Sequence, residues 1–185
     1  MALTSTLPVF ESRDPTHFRV QPRVLAAMSA PTREQYLTTR NGEMMRAAAN
    51  PTQAAAGAQM FKNGMALERA FVAAGGLLMG GPDPTGDGGT LPGYGDQREI
   101  ELLVQAGFSP VEAIKIGTLN GAIYMGKDKT IGSIAVGKNA DLVVVKGDPS
   151  KRIEDIENVE IVFKDGVGFD SVKLLESVKG RYGQY

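Results

Sequence analysis

The sequence predicts an α/β arrangement that passes into a β-rich unit. Three observations carry this expectation. Residues 51–126 read helix, strand, loop, helix, helix, with capping residues at the helix starts. A short apolar run, Leu77-Leu78-Met79, stands between two of those helical patterns. After Lys127 the period changes, from helical spacing to the branched run Ala140 to Val145 and the alternating Val159, Ile161 and Phe163.

Composition sets the outer bounds. A chain of 185 residues suffices for one domain, or one domain with a small appendage. With 42% hydrophobic and 22% charged residues, it has the make-up of a globular protein. A net charge of -1 gives no electrostatic case for nucleic acid or an anionic membrane surface as partner. No apolar run reaches the ~20 residues of a membrane helix. Cysteine is absent, which excludes disulfides, thiolate metal sites and a cysteine nucleophile.

The elements follow in order. ALTSTLPVFES, directly after Met1, favours an extended strand through Thr4, Thr6, Val9 and Phe10. It does not read as a signal peptide, because no basic segment precedes an apolar one. It reads as a tied-down terminus or as a chain whose beginning is missing. Arg23 to Met28 and Thr32 to Met45 read as short helices, limited by Pro31 and Gly42. Pro51 opens a longer helix with Asn50 as N-cap and Gly75-Gly76 at its end. Ala54, Ala58, Phe61, Met65 and Val72 share one face of it.

Leu77 to Met79 form a short buried strand. Asp96 and Glu99 make a capping-box pattern ahead of the apolar face Ile100, Leu103, Val104, and Gly107 stops that helix. Ser109-Pro110-Val111-Glu112 repeats the signal, and the helix it opens runs through Ile116 and Leu119 toward Tyr124. The run Ala140 to Val145 suits a strand covered on both faces. Asp165-Gly166 signals a tight hairpin, with Val167 and Phe169 on the return strand. Ser171 to Ser177 forms a terminal helix, and KGRYGQY a loose tail. The expected divisions are 1–126, 127–170 and 171–185.

One stretch bears on chemistry. In LLMGGPDPTGDGG an apolar run breaks into Gly and Pro, and Asp83 stands where the chain reaches the surface. On the residues alone, Asp83 either accepts hydrogen bonds from turn amides or supplies a reactive carboxylate. The loop TGDGGTLPGYG, with Tyr94, is either substrate-facing or a plain crossover. GGPDPTGDGG lacks the Lys-Ser/Thr of a phosphate-binding loop. Met44, Met45, Met60, Met65, Met79 and Met125 read as packing residues, and Lys151, Arg152, Glu154 and Asp155 as a solvated face.

IGSIAVGKNADLVVVKGDP resembles the signature that closes the amidohydrolase superfamily of metal-dependent hydrolases. Gly132-Ser133-Ile134, Gly137-Lys138 and Ala140-Asp141-Leu142 match its pattern. LLVQAGFSPVEAIKIGTLNGAIYMG is similar to the final barrel helices of that family, and GGPDPTG to its last barrel strand. The resemblance spans roughly Met65 to Val167 and points to the imidazolonepropionase- and prolidase-like branch. ALTSTLPVFE resembles the preceding barrel strand.

The resemblance implies the C-terminal portion of a (β/α)8 barrel, its last strands and helices, followed by part of a small β-sandwich. It implies hydrolysis of a C–N bond in a cyclic amide or a dipeptide, at a divalent metal, zinc. By motif Asp83 is both the catalytic carboxylate, a general base toward metal-bound water, and a metal ligand. The family's other ligands are histidines and a carboxylated lysine or glutamate, yet the chain has one histidine, His17, in an irregular stretch. The expectation is therefore a C-terminal part of a longer hydrolase that does not retain its metal and is inactive alone. The alternative is a non-catalytic α/β remnant or interaction module that self-associates through an open sheet edge. Neither compartment nor secretion can be read from this stretch.

Overall fold

The computed structural model describes residues 1–84 and 90–183. Two small sheets and eight helices build the described chain, in the order β1 (Ala2–Ser5), α1 (Leu7–Glu11), α2 (Pro22–Ala27), α3 (Ala30–Ala49), α4 (Pro51–Ala73), β2 (Leu77–Gly80), α5 (Tyr94–Gln105), α6 (Pro110–Ile116), α7 (Leu119–Tyr124), β3 (Leu142–Val145), a 3-10 turn (Ile153–Glu157), β4 (Val159–Lys164), β5 (Val167–Asp170) and α8 (Ser171–Val178). No described helix is long and apolar enough to cross a membrane.

β1 and β2 pair in parallel, with Ala2 opposite Leu77 and Ser5 opposite Gly80. Strands so joined need a crossover, and α1 to α4 supply it. The main core lies where α1, α4, α5 and α6 meet β2: Leu7, Phe61, Leu78, Leu102, Leu103, Phe108, Ala113 and Ile116. Each of these side chains larger than alanine contributes about 1.5–3 kcal/mol by leaving water. Of the stripe expected on α4, Phe61, Met65 and Val72 face this core, with Phe61 1% exposed. Gly57 lies on the same helix because a Cβ there would meet the Arg13 carbonyl oxygen at 2.4 Å. A second cluster joins Ala27, Met28, Tyr36 and Leu91.

Several local expectations are corrected. The extended run stops at Ser5, and Leu7–Glu11 is helical. Pro8 has no N–H to give a sheet, but it fits the first turn of a helix. The third helix runs from Ala30 to Ala49, past both expected limits. Pro31 sits in its first turn, and Gly42 costs only about 1 kcal/mol. α5 starts at Tyr94, so Asp96 is not the N-cap but the third helical residue, accepting from the Gly93 amide at 2.8 Å. Ser109 and Glu112 do cap each other reciprocally. The helix they open breaks at Gly117-Thr118 into α6 and α7. The break lets Asn120 turn its side chain onto β2.

β3, β4 and β5 form an antiparallel meander. Asp165 and Gly166 turn β4 into β5 with φ of 50° and 81°, the left-handed pair a tight hairpin requires. β3 is not covered on both faces among the described residues: Val143 is 59% and Val144 40% exposed. Nor is the described tail loose. The Gly180 and Tyr182 amides donate to the Ala26 and Ala27 carbonyls at 2.9 and 3.0 Å, and Ser29 N donates to Tyr182 O at 2.9 Å.

Candidate active site at the strand ends

Parallel strands end on the same side, so β1 and β2 present their C-terminal ends together. Three residues beyond β2 stands Asp83, exposed and at φ 48°. Few residues other than glycine hold that conformation, and a short acidic side chain is among those that tolerate it. Its surroundings are fixed by neighbours. Gly81 N donates to Ser5 O at 3.0 Å, continuing the strand pairing. Asn120 Nδ2, buried on α7, donates to Leu78 O at 2.7 Å. Buried Pro82 lies against the first turn of α5, 3.0 Å from where a Cβ on Gly95 would stand.

Of the loop expected at Thr85 to Gly95, residues 85–89 lie outside the described residues. Tyr94 is half-buried, with the Arg23 guanidinium carbon 5.1 Å from its ring centre. It lines a cavity of about 40 Å³ with Glu11, Phe18, Tyr36 and Arg98. That space suits a water or two rather than an organic substrate.

His17 belongs to a different structure. Its Nδ1 is 2.7 Å from Glu11 Oε1 and its ring centre is 5.2 Å from that of Phe61. Glu11, only 3% exposed, also accepts from Arg98 Nε at 3.1 Å and Nη2 at 2.6 Å. Arg98 Nη1 donates onward to Glu101 at 2.6 Å. Burial opposes the charge on Arg98, but hydrogen bonds and attraction from Glu11, then Glu101, outweigh it and hold the guanidinium firmly protonated. Burial raises Glu101 to about 7, despite the bond from Arg98, with Glu157 adding repulsion. Sequence reasoning missed this network. Its members are up to 87 positions apart, and no motif joins them.

Among the described residues no group of three or more His, Cys, Asp or Glu side chains is placed to hold a metal ion. Asp83 stands just beyond the strand end, without a ligand set around it among the described residues.

Residues 87–168 match the Amidohydrolase family. Imidazolonepropionase from Clostridium tetani (strain Massachusetts / E88) is 37% identical over 83 residues, which are 40% of this chain and 20% of that protein. A crystal structure of a Xaa-Pro dipeptidase with methionine bound in its active site aligns at a TM-score of 0.52 and 28% identity, over 64% of this chain and 27% of that one. The bottromycin amidohydrolase aligns at a TM-score of 0.69 and 20% identity, over 96% of this chain and 38% of that one, which bears on the fold alone. The matched stretches span 9–20% of the length of the curated relatives.

Proposed function

We propose, for a chain that belongs to the amidohydrolase superfamily, that residues 1–126 supply the last strands and helices of a (β/α)8 hydrolase barrel. Residues 127–170 would then be the C-terminal strands of its small β-sandwich, with 171–185 as terminal helix and tail. The reaction is hydrolysis of a C–N bond, with a cyclic amide or a dipeptide as substrate. The relatives named imidazolonepropionase and Xaa-Pro dipeptidase support that substrate class. Asp83 is the carboxylate assigned to the reacting centre.

One observation carries this reading. A parallel strand pair ends with an exposed aspartate just beyond it, directly ahead of the stretch that matches the family. Active sites of such barrels lie at that end of the strands. Members of the family use divalent metals, but the described residues do not fit one: a hydrolytic zinc needs about three protein ligands. The missing ligands would come from another segment, and the chain alone is expected to be inactive.

The test combines this chain with a polypeptide supplying the remaining strands of an amidohydrolase barrel. Metal content and hydrolysis of a dipeptide and a cyclic amide are measured for each part and for the mixture. Turnover confined to the mixture, and lost with Asp83→Asn, supports the proposal. Turnover by the isolated chain with stoichiometric metal, or an unaffected Asp83→Asn mixture, overturns it.

A second reading, a non-catalytic module that self-associates, is favoured by one feature. β3 pairs with β4 on one side only among the described strands, and exposes Val143 and Val144. Sedimentation across a concentration series tests it: a monomer at all concentrations removes this alternative.

A further inference from the structure

Behind the strand ends lies a second acidic cluster, which the hydrolytic proposal does not use. Ser5, Glu68 and Glu99 come from β1, α4 and α5 and are 0%, 7% and 1% exposed. The Ser5 hydroxyl donates to Glu68 Oε2 at 2.9 Å. Both oxygens of Glu99 are sealed from solvent without a hydrogen-bond partner. The Glu99 carboxyl faces the Ser5 hydroxyl and the Leu7 backbone, while its Cγ lies 3.5 Å from where a Cβ on Gly80 would stand.

A serine hydroxyl has one proton and two lone pairs. Here that proton is bonded to Glu68, and no hydrogen bond joins Ser5 to Glu99. A carboxylate sealed from water with no donor bonded to it is disfavoured against the neutral acid. The charged groups acting on Glu99 are Glu68 from α4 and Asp96 from its own helix, and both are acidic. The other neighbours that face it, Ser5, Leu7 and Gly80, carry no charge.

We propose that Glu99 stays protonated at neutral pH and that its ionisation loosens the buried junction of β1, α4 and α5, which makes this cluster a pH-sensitive latch. Burial, the largest influence, lifts Glu99 to about 8, although Ser5 and the Leu7 backbone pull the other way. Burial likewise lifts Glu68 to about 7, against the Ser5 bond.

The direction of the effect follows. Above about pH 4.5 an unfolded glutamate loses its proton, while the folded Glu99 keeps one until about pH 8. The folded state binds more protons across that window, so stability falls as pH rises through it and levels off beyond. The experiment is urea unfolding of the chain and of Glu99→Gln between pH 5.5 and 8.5. Glutamine keeps a donor and carries no charge. The unfolding constant of the parent chain should rise about 10²-fold more than that of the variant. Glu68 and Glu101 titrate in both proteins, so the difference between the two curves is what is read. Parallel pH curves overturn the proposal. Should Glu99→Gln fail to fold, glutamate side-chain carbons of the parent chain are followed by NMR. A carbon titrating near pH 8 supports the latch, and the absence of any glutamate titrating above about pH 7.5 overturns it.

Discussion

Replacing Glu11 by Gln tests how much one buried carboxylate contributes to joining α1, α5 and the loop that bears His17. The substitution keeps the shape and removes the charge. Glu11 is 3% exposed and holds Arg98 through contacts of 2.6 and 3.1 Å, with Arg98 itself 22% exposed. Two unit charges about 4 Å apart attract by about 4 kcal/mol at an effective dielectric of about 20. Glutamine is cheaper to bury than a carboxylate, and Arg98 keeps its bond to Glu101, so part of that attraction is offset. The expected net loss is about 3 kcal/mol. In urea, with an m-value of about 2 kcal/mol per molar, the midpoint falls by about 1.5 M. A double-mutant cycle with Arg98→Met should give a coupling of at least about 1.5 kcal/mol. The difference should change little between low and high salt, because a buried pair is weakly screened. A loss below about 0.5 kcal/mol, or one that vanishes in salt, would show that the pair behaves like an exposed ion pair and refute the reasoning.

Three further outcomes are expected. Asn120→Ala leaves the buried Leu78 carbonyl without its donor and should cost about 1–3 kcal/mol by chemical unfolding, while Asn120→Asp should be no better. Phe61→Ala opens the centre of the main core and should cost about 3–5 kcal/mol, lowering the thermal midpoint by several degrees. Removing residues 179–185 takes away the bonds that Gly180 and Tyr182 make to α2 and Ser29; amides of residues 26–29 should then exchange with solvent markedly faster, and unchanged exchange would show that the tail does not secure α2.

Much of the fold was legible because local chemistry and tertiary context agree. The Asn50-Pro51 start, the reciprocal Ser109-Glu112 cap and the Asp165-Gly166 hairpin all form where residue type demands. Elsewhere one residue satisfies two rules. Pro8 and Pro31 punctuate a sequence, yet a helix accepts proline in its first turn, so α1 and α3 begin there. Asp96 fits either end of a capping box, and the structure uses it at the third helical position. The apolar letters of Val143 and Val144 promise burial, but only packing partners deliver it. Asp83 could be singled out from its turn and its motif. The Glu11–Arg98 and Ser5–Glu68 links could not, since 87 and 63 positions separate their members and side-chain charge alone does not announce a partner.

The pairing of β1 with β2 has a kinetic consequence. Ala2 finds its partner at Leu77, so the first strand stays without a template until four helices have been made and brought round. Closing a loop of that size costs entropy before any contact repays it, and folds dominated by distant pairings are slow to form. Helix α4, bearing Phe61 and ending just before Leu77, is the element best placed to nucleate. Substitutions on its buried stripe should therefore slow refolding, whereas those at Ala2 to Ser5 should mainly speed unfolding.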